Sequence, residues 1–181
     1  LVVPWAAGGS TDSIGRILAQ KLAEYLGQQW IIDNRGGATG TIGHAFVART
    51  APDGYTLLPA TNSTFAIAPH LYKNLPYDNE KAFAPISLVA ISPQILSVHP
   101  SLPVTGVKEL IALARAKPGA IPFSTAGVGA TSHLATELLQ NMARIRMTHV
   151  PYKGGGPSAQ ALIAGETALS FVDAITALPQ A

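Results

Sequence analysis

Residues 3–12 read Val3-Pro4-Trp5-Ala6-Ala7-Gly8-Gly9-Ser10-Thr11-Asp12, and their reading decides the fold. The apolar run Leu1-Val2-Val3 leads in as a strand, and a glycine pair then allows a sharp turn. Three small polar residues follow, and then Ile14, Ile17, Leu18, Leu22, Tyr25 and Leu26 recur at the spacing of one helical face. Ser10, Thr11 or Asp12 can cap that helix, and Gly27 can end it. The stretch is therefore a strand, a glycine turn and a helix N-terminus in direct succession.

The same grammar continues outward. Gln29-Trp30-Ile31-Ile32 reads as the next strand, followed by a glycine-rich loop over 34–40 and a short helix near 41–50. Pro52-Asp53-Gly54-Tyr55 is turn chemistry. Leu57-Leu58-Pro59-Ala60 reads as a strand with the polar loop Thr61-Asn62-Ser63 at its end, and 69–85 as mostly irregular. Two apolar strands are expected back to back at Ile86–Ile91 and Gln94–Val98. A helix then carries Val107, Leu110, Ile111 and Ala114 on one face, with Thr105 as its cap and Lys117-Pro118-Gly119 as its stop. Further strands are expected at Ile121–Ser124, Thr148–Tyr152 and Ala168–Val172, with helices at 131–143 and after Lys153-Gly154-Gly155-Gly156-Pro157. Pro157 suits a first helical position. Alternating strands and helices of this length imply βαβ units and mostly parallel sheets covered by helices. The proline-flanked segment near 86–99 is the natural crossing between two lobes, which places lobe 1 at 1–92 and lobe 2 at 93–181.

At 123–134, Phe123-Ser124-Thr125-Ala126-Gly127-Val128-Gly129-Ala130-Thr131-Ser132-His133-Leu134 repeats the opening pattern. In open α/β sheets ligands sit beyond the carboxyl ends of the strands. A helix N-terminus there offers backbone N–H groups and the positive end of its dipole, and small residues admit an anion to them. If the two lobes face each other, the two loops can grip one carboxylate without an arginine. A glycine pair between strand and helix is also, by itself, no more than a tight turn. Asp12 is open to two readings, a helix cap or an acceptor for a ligand amine. Asp173, at a strand end, is a candidate for direct ligand contact, and Asn62 is placed similarly. His133 and Glu137 share a helix face at i, i+4, but no second histidine supports a metal there, and His133 reads as a polar residue of the first turn. His149, in an apolar strand, reads as a packed residue.

Composition removes several classes. With 48% hydrophobic and 12% charged residues the chain can bury a large core, as one large domain or two small ones. No apolar run approaches the roughly 18–20 residues of a membrane span. Twelve basic residues against ten acidic ones are nearly balanced and scattered, which argues against nucleic acid as a partner. The absence of cysteine removes thiol catalysis, disulfides and cysteine zinc sites. No P-loop, no complete dinucleotide fingerprint and no G-x-S-x-G elbow occurs, so neither a cofactor nor an enzymatic nucleophile is indicated. The first residue is not methionine and the last follow a strand without a closing helix, so a fragment or a processed chain is expected.

The motifs taken in order carry a resemblance. Residues 3–12, Asp33-Asn34-Arg35-Gly36-Gly37-Ala38, Pro52-Asp53-Gly54-Tyr55-Thr56, Leu75-Pro76-Tyr77-Asp78, Pro118-Gly119, Ser124–Leu134 and His149-Val150-Pro151-Tyr152-Lys153-Gly154 together resemble the Bug family, the TctC-like receptors of tripartite tricarboxylate transporters. The resemblance spans essentially the whole chain. It implies an α/β, two-lobe periplasmic binding protein type II-like fold, truncated here at its C-terminus, that closes by a hinge on a small organic carboxylate or acidic amino acid. It implies a periplasmic location, membrane permease subunits as partners, no cofactor, no metal and no chemical change to the ligand. Its ligand loops fall on Ala7, Gly8, Gly9, Thr11 and Asp12 and on Ser124, Thr125, Gly127, Gly129, Ala130 and Thr131. Asn62, Lys153, Gly154 and Asp173 match positions that shape the rest of the pocket. Trp5 departs from the family, where an aliphatic residue or Phe is more usual. Two other classes share parts of this pattern: the effector-binding domain of a transcription regulator, and a small α/β enzyme acting on an anionic substrate.

Overall fold

A computed structural model describes residues 1–180. The chain divides into two compact units, Leu1–Ile91 and Ser92–Ala181.

In the first unit, β1 (Val2–Val3) pairs in parallel with β2 (Asp33–Asn34), Val2 opposite Asp33 and Val3 opposite Asn34. The ladder runs on through Asp33 N–H to the Leu1 carbonyl and Arg35 N–H to the Val3 carbonyl, at 2.9 and 2.8 Å. The strand expected at 29–32 therefore lies further along the chain, because pairing to β1 and not local apolarity sets where it forms. Residues 57–60 are not a strand either. They give β1 a single bond, from Val2 N–H to the Leu57 carbonyl at 2.9 Å.

Helix α1 (Ser10–Leu26) ends as expected at Gly27, whose left-handed φ of 66° lets its N–H close on the Ala23 carbonyl. Its N-cap is Gly9, in an extended conformation with no side-chain cap bond, rather than Ser10, Thr11 or Asp12. The fully buried face is centred on small residues, with Ile14, Leu18 and Leu22 half-buried beside it. Gly15 and Ala19 are buried, while Ile17 and Tyr25 are 64% and 85% exposed. A Cβ on Gly15 would lie 3.1 Å from Val3, so small residues set how closely α1 approaches β1.

A turn over Ala38–Gly40 leads into α2 (Thr41–Val47). His44 on α2 is fully buried among the rings of Phe65, Tyr77 and Phe83. The expected polar loop at 61–63 instead starts a helical stretch. A π-helical turn over Ser63–Ile67 runs into α3 (Ala68–Leu71), and Thr64, fully buried, ties it to Thr61 through its hydroxyl. No strand forms over 86–91, where Ile86, Leu88 and Ile91 are exposed. An apolar run becomes a strand only beside a strand that completes its hydrogen bonds.

The second unit is a four-stranded sheet of order β3-β6-β4-β5: β3 (Gln94–Val98), β4 (Pro122–Thr125), β5 (Thr148–Pro151) and β6 (Leu169–Asp173). β4 is parallel to both β5 and β6, and β3 closes the edge antiparallel to β6. Alternation sorts the faces. Phe123 and Leu169 pack with Leu110 and Ala114 of α4 (Val107–Ala116), the core of the unit. Val172, on the opposite face, packs with Ala159 and Leu162 of α6 (Gly155–Ile163). Helix α5 (Thr131–Ala143) has the expected bounds and ends at Arg144, in the left-handed conformation. Two expected caps differ. Gly106 caps α4, and Thr105 donates from its N–H and hydroxyl to Glu109 at 2.6 and 3.0 Å. Gly154 caps α6, which puts Pro157 at the third helical position, not the first. A short helix α7 (Ala174–Ala177) follows β6.

Candidate functional site

The opening loop is built around one carboxylate. Asp12, at the third position of α1 and 3% exposed, points back toward the turn. Its Oδ2 accepts from Gly8 N–H at 3.0 Å and from Arg16 Nε at 2.9 Å, and its Oδ1 accepts from Asn34 Nδ2 at 2.9 Å. Asn34 also donates to the Trp5 carbonyl at 3.1 Å. Burial works against the Asp12 charge, but the bonds from Arg16, Gly8 and Asn34 outweigh it and hold the carboxyl below the usual carboxylate range. Gly8 takes a φ of 84°, which favours glycine. Ala7 and Gly8 are exposed at the tip of the turn, Gly9 is buried and Thr11 is half-buried. At Gly36 a Cβ would lie 2.9 Å from Ala6 N, so the chain after β2 must be free of a side chain to back this loop.

The loop of the second unit has the same place in its sheet and a different framework. Gly127 and Gly129 have φ of 129° and 82°. Ala126 N–H donates to Ser132 Oγ at 3.1 Å, Gly127 N–H to Thr125 Oγ1 at 3.2 Å, and Ala130 N–H to the Gly127 carbonyl at 3.1 Å. Gly129 N–H donates to His133 Nδ1 at 3.2 Å. His149 Nε2 lies 2.6 Å from Thr125 Oγ1, and its ring stacks on His133 at 4.3 Å and on Phe123 at 5.0 Å. Burial first, and then the neighbouring His133, push the His149 imidazole down to about 4. Most of the loop N–H groups are thus spent on shaping the loop.

Within the second unit the expected residues come together. β4, β5 and β6 are parallel, so Thr125, Lys153-Gly154 and Asp173 follow or end strands at one edge of the sheet. Their surroundings differ. Ser124 is fully buried and donates to the Ser158 carbonyl at 3.1 Å, while Ser170, in the same buried hydroxyl cluster, donates to the Ser124 carbonyl at 2.8 Å. Lys153 is exposed, Gly154 is buried with a φ of 131°, and Asp173 accepts from the Gln94 amide. In the first unit Asn62 is exposed and opens the helical stretch. His133 Nε2 lies 3.8 Å from Glu137, and among the described residues no group of three or more His, Cys, Asp or Glu could hold a metal ion.

Four residues outside the expected set shape the two loops: Asn34, Ser132, His133 and His149. Asn34 had a visible signal, a polar residue just after an apolar run in a chain with few charges. His149 had none without the pairing of β4 with β5, and Ser132 and His133 none without the fold of the loop back onto α5.

The profile of TctC, the tripartite tricarboxylate transporter family receptor, matches residues 14–181. The chain belongs to this family. Among solved structures, that of R. palustris Rpa4515 with adipate shares 38% identity and a TM-score of 0.95, over 98% of this chain and 60% of that one. The periplasmic binding protein BugD shares 36% identity and a TM-score of 0.93, over 99% and 60%. MatC (Rpa3494) from Rhodopseudomonas palustris with bound malate shares 32% identity and a TM-score of 0.90, over 98% and 61%. A UPF0065 protein in the tcbD-tcbE intergenic region of Pseudomonas sp. (strain P51) is 37% identical over 180 residues, 99% of this chain and 53% of that protein. The chain spans about half the length of the curated relative it matches. The α/β fold is that of these binding proteins, and the family is one of receptors rather than enzymes.

Proposed function

We propose that this chain is the ligand-binding part of a periplasmic solute receptor. It captures a small organic carboxylate and delivers it to the permease of a tripartite tricarboxylate transporter. The observation that carries the reading is the repeated construction: in each unit a strand runs into a glycine loop, folded by its own hydrogen bonds, at the N-terminus of a helix longer than ten residues. Such an end favours a negative charge through its N–H groups and dipole. We assign the glycine loop of each unit to carboxylate binding: Ala7, Gly9 and Thr11 in the first and Thr131 in the second face the ligand, while Gly8, Gly127, Gly129 and Ala130, whose N–H groups bond the protein itself, give the loops their shape. Asp12, Ser124 and Thr125 act behind these loops, since their polar atoms bond the protein itself. Asn62, Lys153, Gly154 and Asp173 select the remainder of the ligand. Membership in the receptor family supports this reading, as do two relatives bound to the dicarboxylates adipate and malate.

The test is a thermal-shift panel on the full chain with malate, adipate, citrate, succinate, aspartate and glutamate. A ligand present at about 100 times its Kd stabilises the native state by roughly 2.7 kcal/mol. A clear rise in Tm with one class is expected, together with its loss in Gly9→Phe. Gly9 is buried in an ordinary extended conformation, so a large side chain there crowds the loop without demanding a forbidden backbone. No shift with any of the six, or an unchanged shift in Gly9→Phe, would refute the assignment.

A further inference from the structure

Two imidazoles stand behind the second glycine loop, and the expected role of neither, a polar first-turn residue and a packed one, accounts for their arrangement. Gly129 N–H points at His133 Nδ1 from 3.2 Å. An imidazole nitrogen accepts a hydrogen bond only where it carries a lone pair, so Nδ1 is unprotonated and the proton of the neutral ring sits on Nε2. A second proton on the ring goes to Nδ1. It would then face the Gly129 N–H donor to donor, and the bond cannot survive.

The surroundings make this contact consequential. Gly129 has a φ of 82° and directly precedes Ala130, the N-cap of α5. The hydrogen bond therefore fixes a left-handed residue where the loop enters the helix. The ring is held on its other sides by His149 of β5, stacked at 4.3 Å, and by Glu137 one turn along α5, 3.8 Å from Nε2. The His133 side chain is 18% exposed, which leaves it open to protons from solvent.

We propose that His133 is a positioning residue for carboxylate binding: its neutral ring presets the glycine loop by holding the Gly129 amide, and protonation of the ring releases that amide and weakens the bound ligand. The proposal rests on the receptor reading above for its ligand, and on the Gly129 contact alone for its switch. A loop held in its binding shape before the ligand arrives spares the ordering cost of binding. His149 does not compete for this role near neutral pH, because burial keeps its ring neutral down to about 4.

Two variants separate the hydrogen bond from the packing. In His133→Asn the side-chain Oδ1 takes the place of Nδ1, accepts the same N–H and does not titrate. In His133→Phe the ring still stacks on His149 but offers no acceptor. With malate as the probe, wild-type affinity is expected to fall by about tenfold on protonation of the ring, the loss of one hydrogen bond and its preset loop. His133→Asn keeps the affinity of the neutral-ring wild type within about threefold and shows a flat pH profile, whereas His133→Phe is weaker by about tenfold throughout. A merely structural role would not be rescued by Asn, and it would not divide the two variants by their pH profiles. A ligand-free readout accompanies this. The 15N resonance of the Gly129 amide should titrate with the His133 ring in the wild type and stay fixed in His133→Asn.

A Gly129 amide that ignores pH, equal losses in Asn and Phe variants, or tighter malate binding on protonation of the ring would each overturn the proposal. The last would mean that imidazolium charge attracts the ligand more than loop order holds it. Failure of the wild type to bind any carboxylate of the panel overturns the receptor reading, and the ligand half of this proposal with it. The amide titration stands or falls independently.

Discussion

The two glycine loops reach the same backbone outline by opposite means. The Ala7–Asp12 loop is tied down by a buried carboxylate with three donors from the turn, the next strand and its own helix. The Thr125–Thr131 loop is tied down by hydroxyls and imidazoles that carry no charge when the contacts are made. One solution depends on an ion kept charged, the other on rings kept neutral. Both consume backbone N–H groups, so the shape of each loop is fixed by groups of the protein itself.

The sharpest way to break the comparison is to remove the one charge. Asp12→Ala removes the acceptor of the exposed Gly8 N–H and one of the two acceptors of the half-buried Asn34 amide, which keeps the Trp5 carbonyl. Losing these bonds to a buried carboxylate is expected to cost roughly 1–3 kcal/mol in denaturant unfolding, and to weaken carboxylate binding with it. Asp12→Asn keeps the volume and one acceptor and should recover part of both. No measurable loss in Asp12→Ala would mean that the glycine turn holds itself.

Acid separates the loops from the aromatic cluster behind the first. His44 is fully buried, its Nδ1 lies 3.1 Å from the Gly40 carbonyl, and burial depresses its imidazole to about 4. The sign follows from linkage. The unfolded ring takes up a proton near pH 6.5 and the folded ring does not, so the stabilisation present above that pH is lost as the pH falls toward 4. Over that window the loss is of order 3 kcal/mol, and His44→Phe, which cannot titrate, should flatten the dependence. The contribution of Asp12 goes lower, because its folded carboxyl titrates below the ordinary carboxylate range and its share of stability disappears only as the pH falls through that lowered value. Unfolding midpoints against pH for wild type and His44→Phe check both statements. An equal slope in the two proteins would remove His44 from the account.

Much of this was legible from residues alone. The two long helices next to the loops have the bounds that periodicity and Gly27 imply, and the glycine loops fall at strand ends as the opening stretch suggests. What could not be read depended on partners. Periodicity marks the large apolar residues of α1 but not which side faces β1, and Gly15 and Ala19 win because only small residues allow that approach. Residues 86–91 have the composition of a strand and no neighbour to complete one. Asp12 was open between a cap and a ligand contact, and the structure shows a third arrangement, a carboxylate reaching back past the cap to Gly8. The stack of His149 on Phe123 follows from their being directly opposed across β4 and β5, a register that no local pattern encodes.

The smallest expected effect tests whether the charge of the first loop works through its ion pair or through its neutral donors. Arg16 Nε sits 2.9 Å from Asp12, but the arginine side chain is 55% exposed, and an exposed partner is screened by water and salt. The Gly8 N–H and the Asn34 amide bond the same buried carboxylate from the turn and from β2. Arg16→Ala should therefore leave the unfolding midpoint and the carboxylate affinity unresolved from wild type, with no added sensitivity to salt, while Asn34→Ala weakens both. The reverse order would mean that the loop is organised by a surface ion pair. The contrast with the uncharged loop of the second unit would then rest on Arg16 and not on the buried bonds of Asp12.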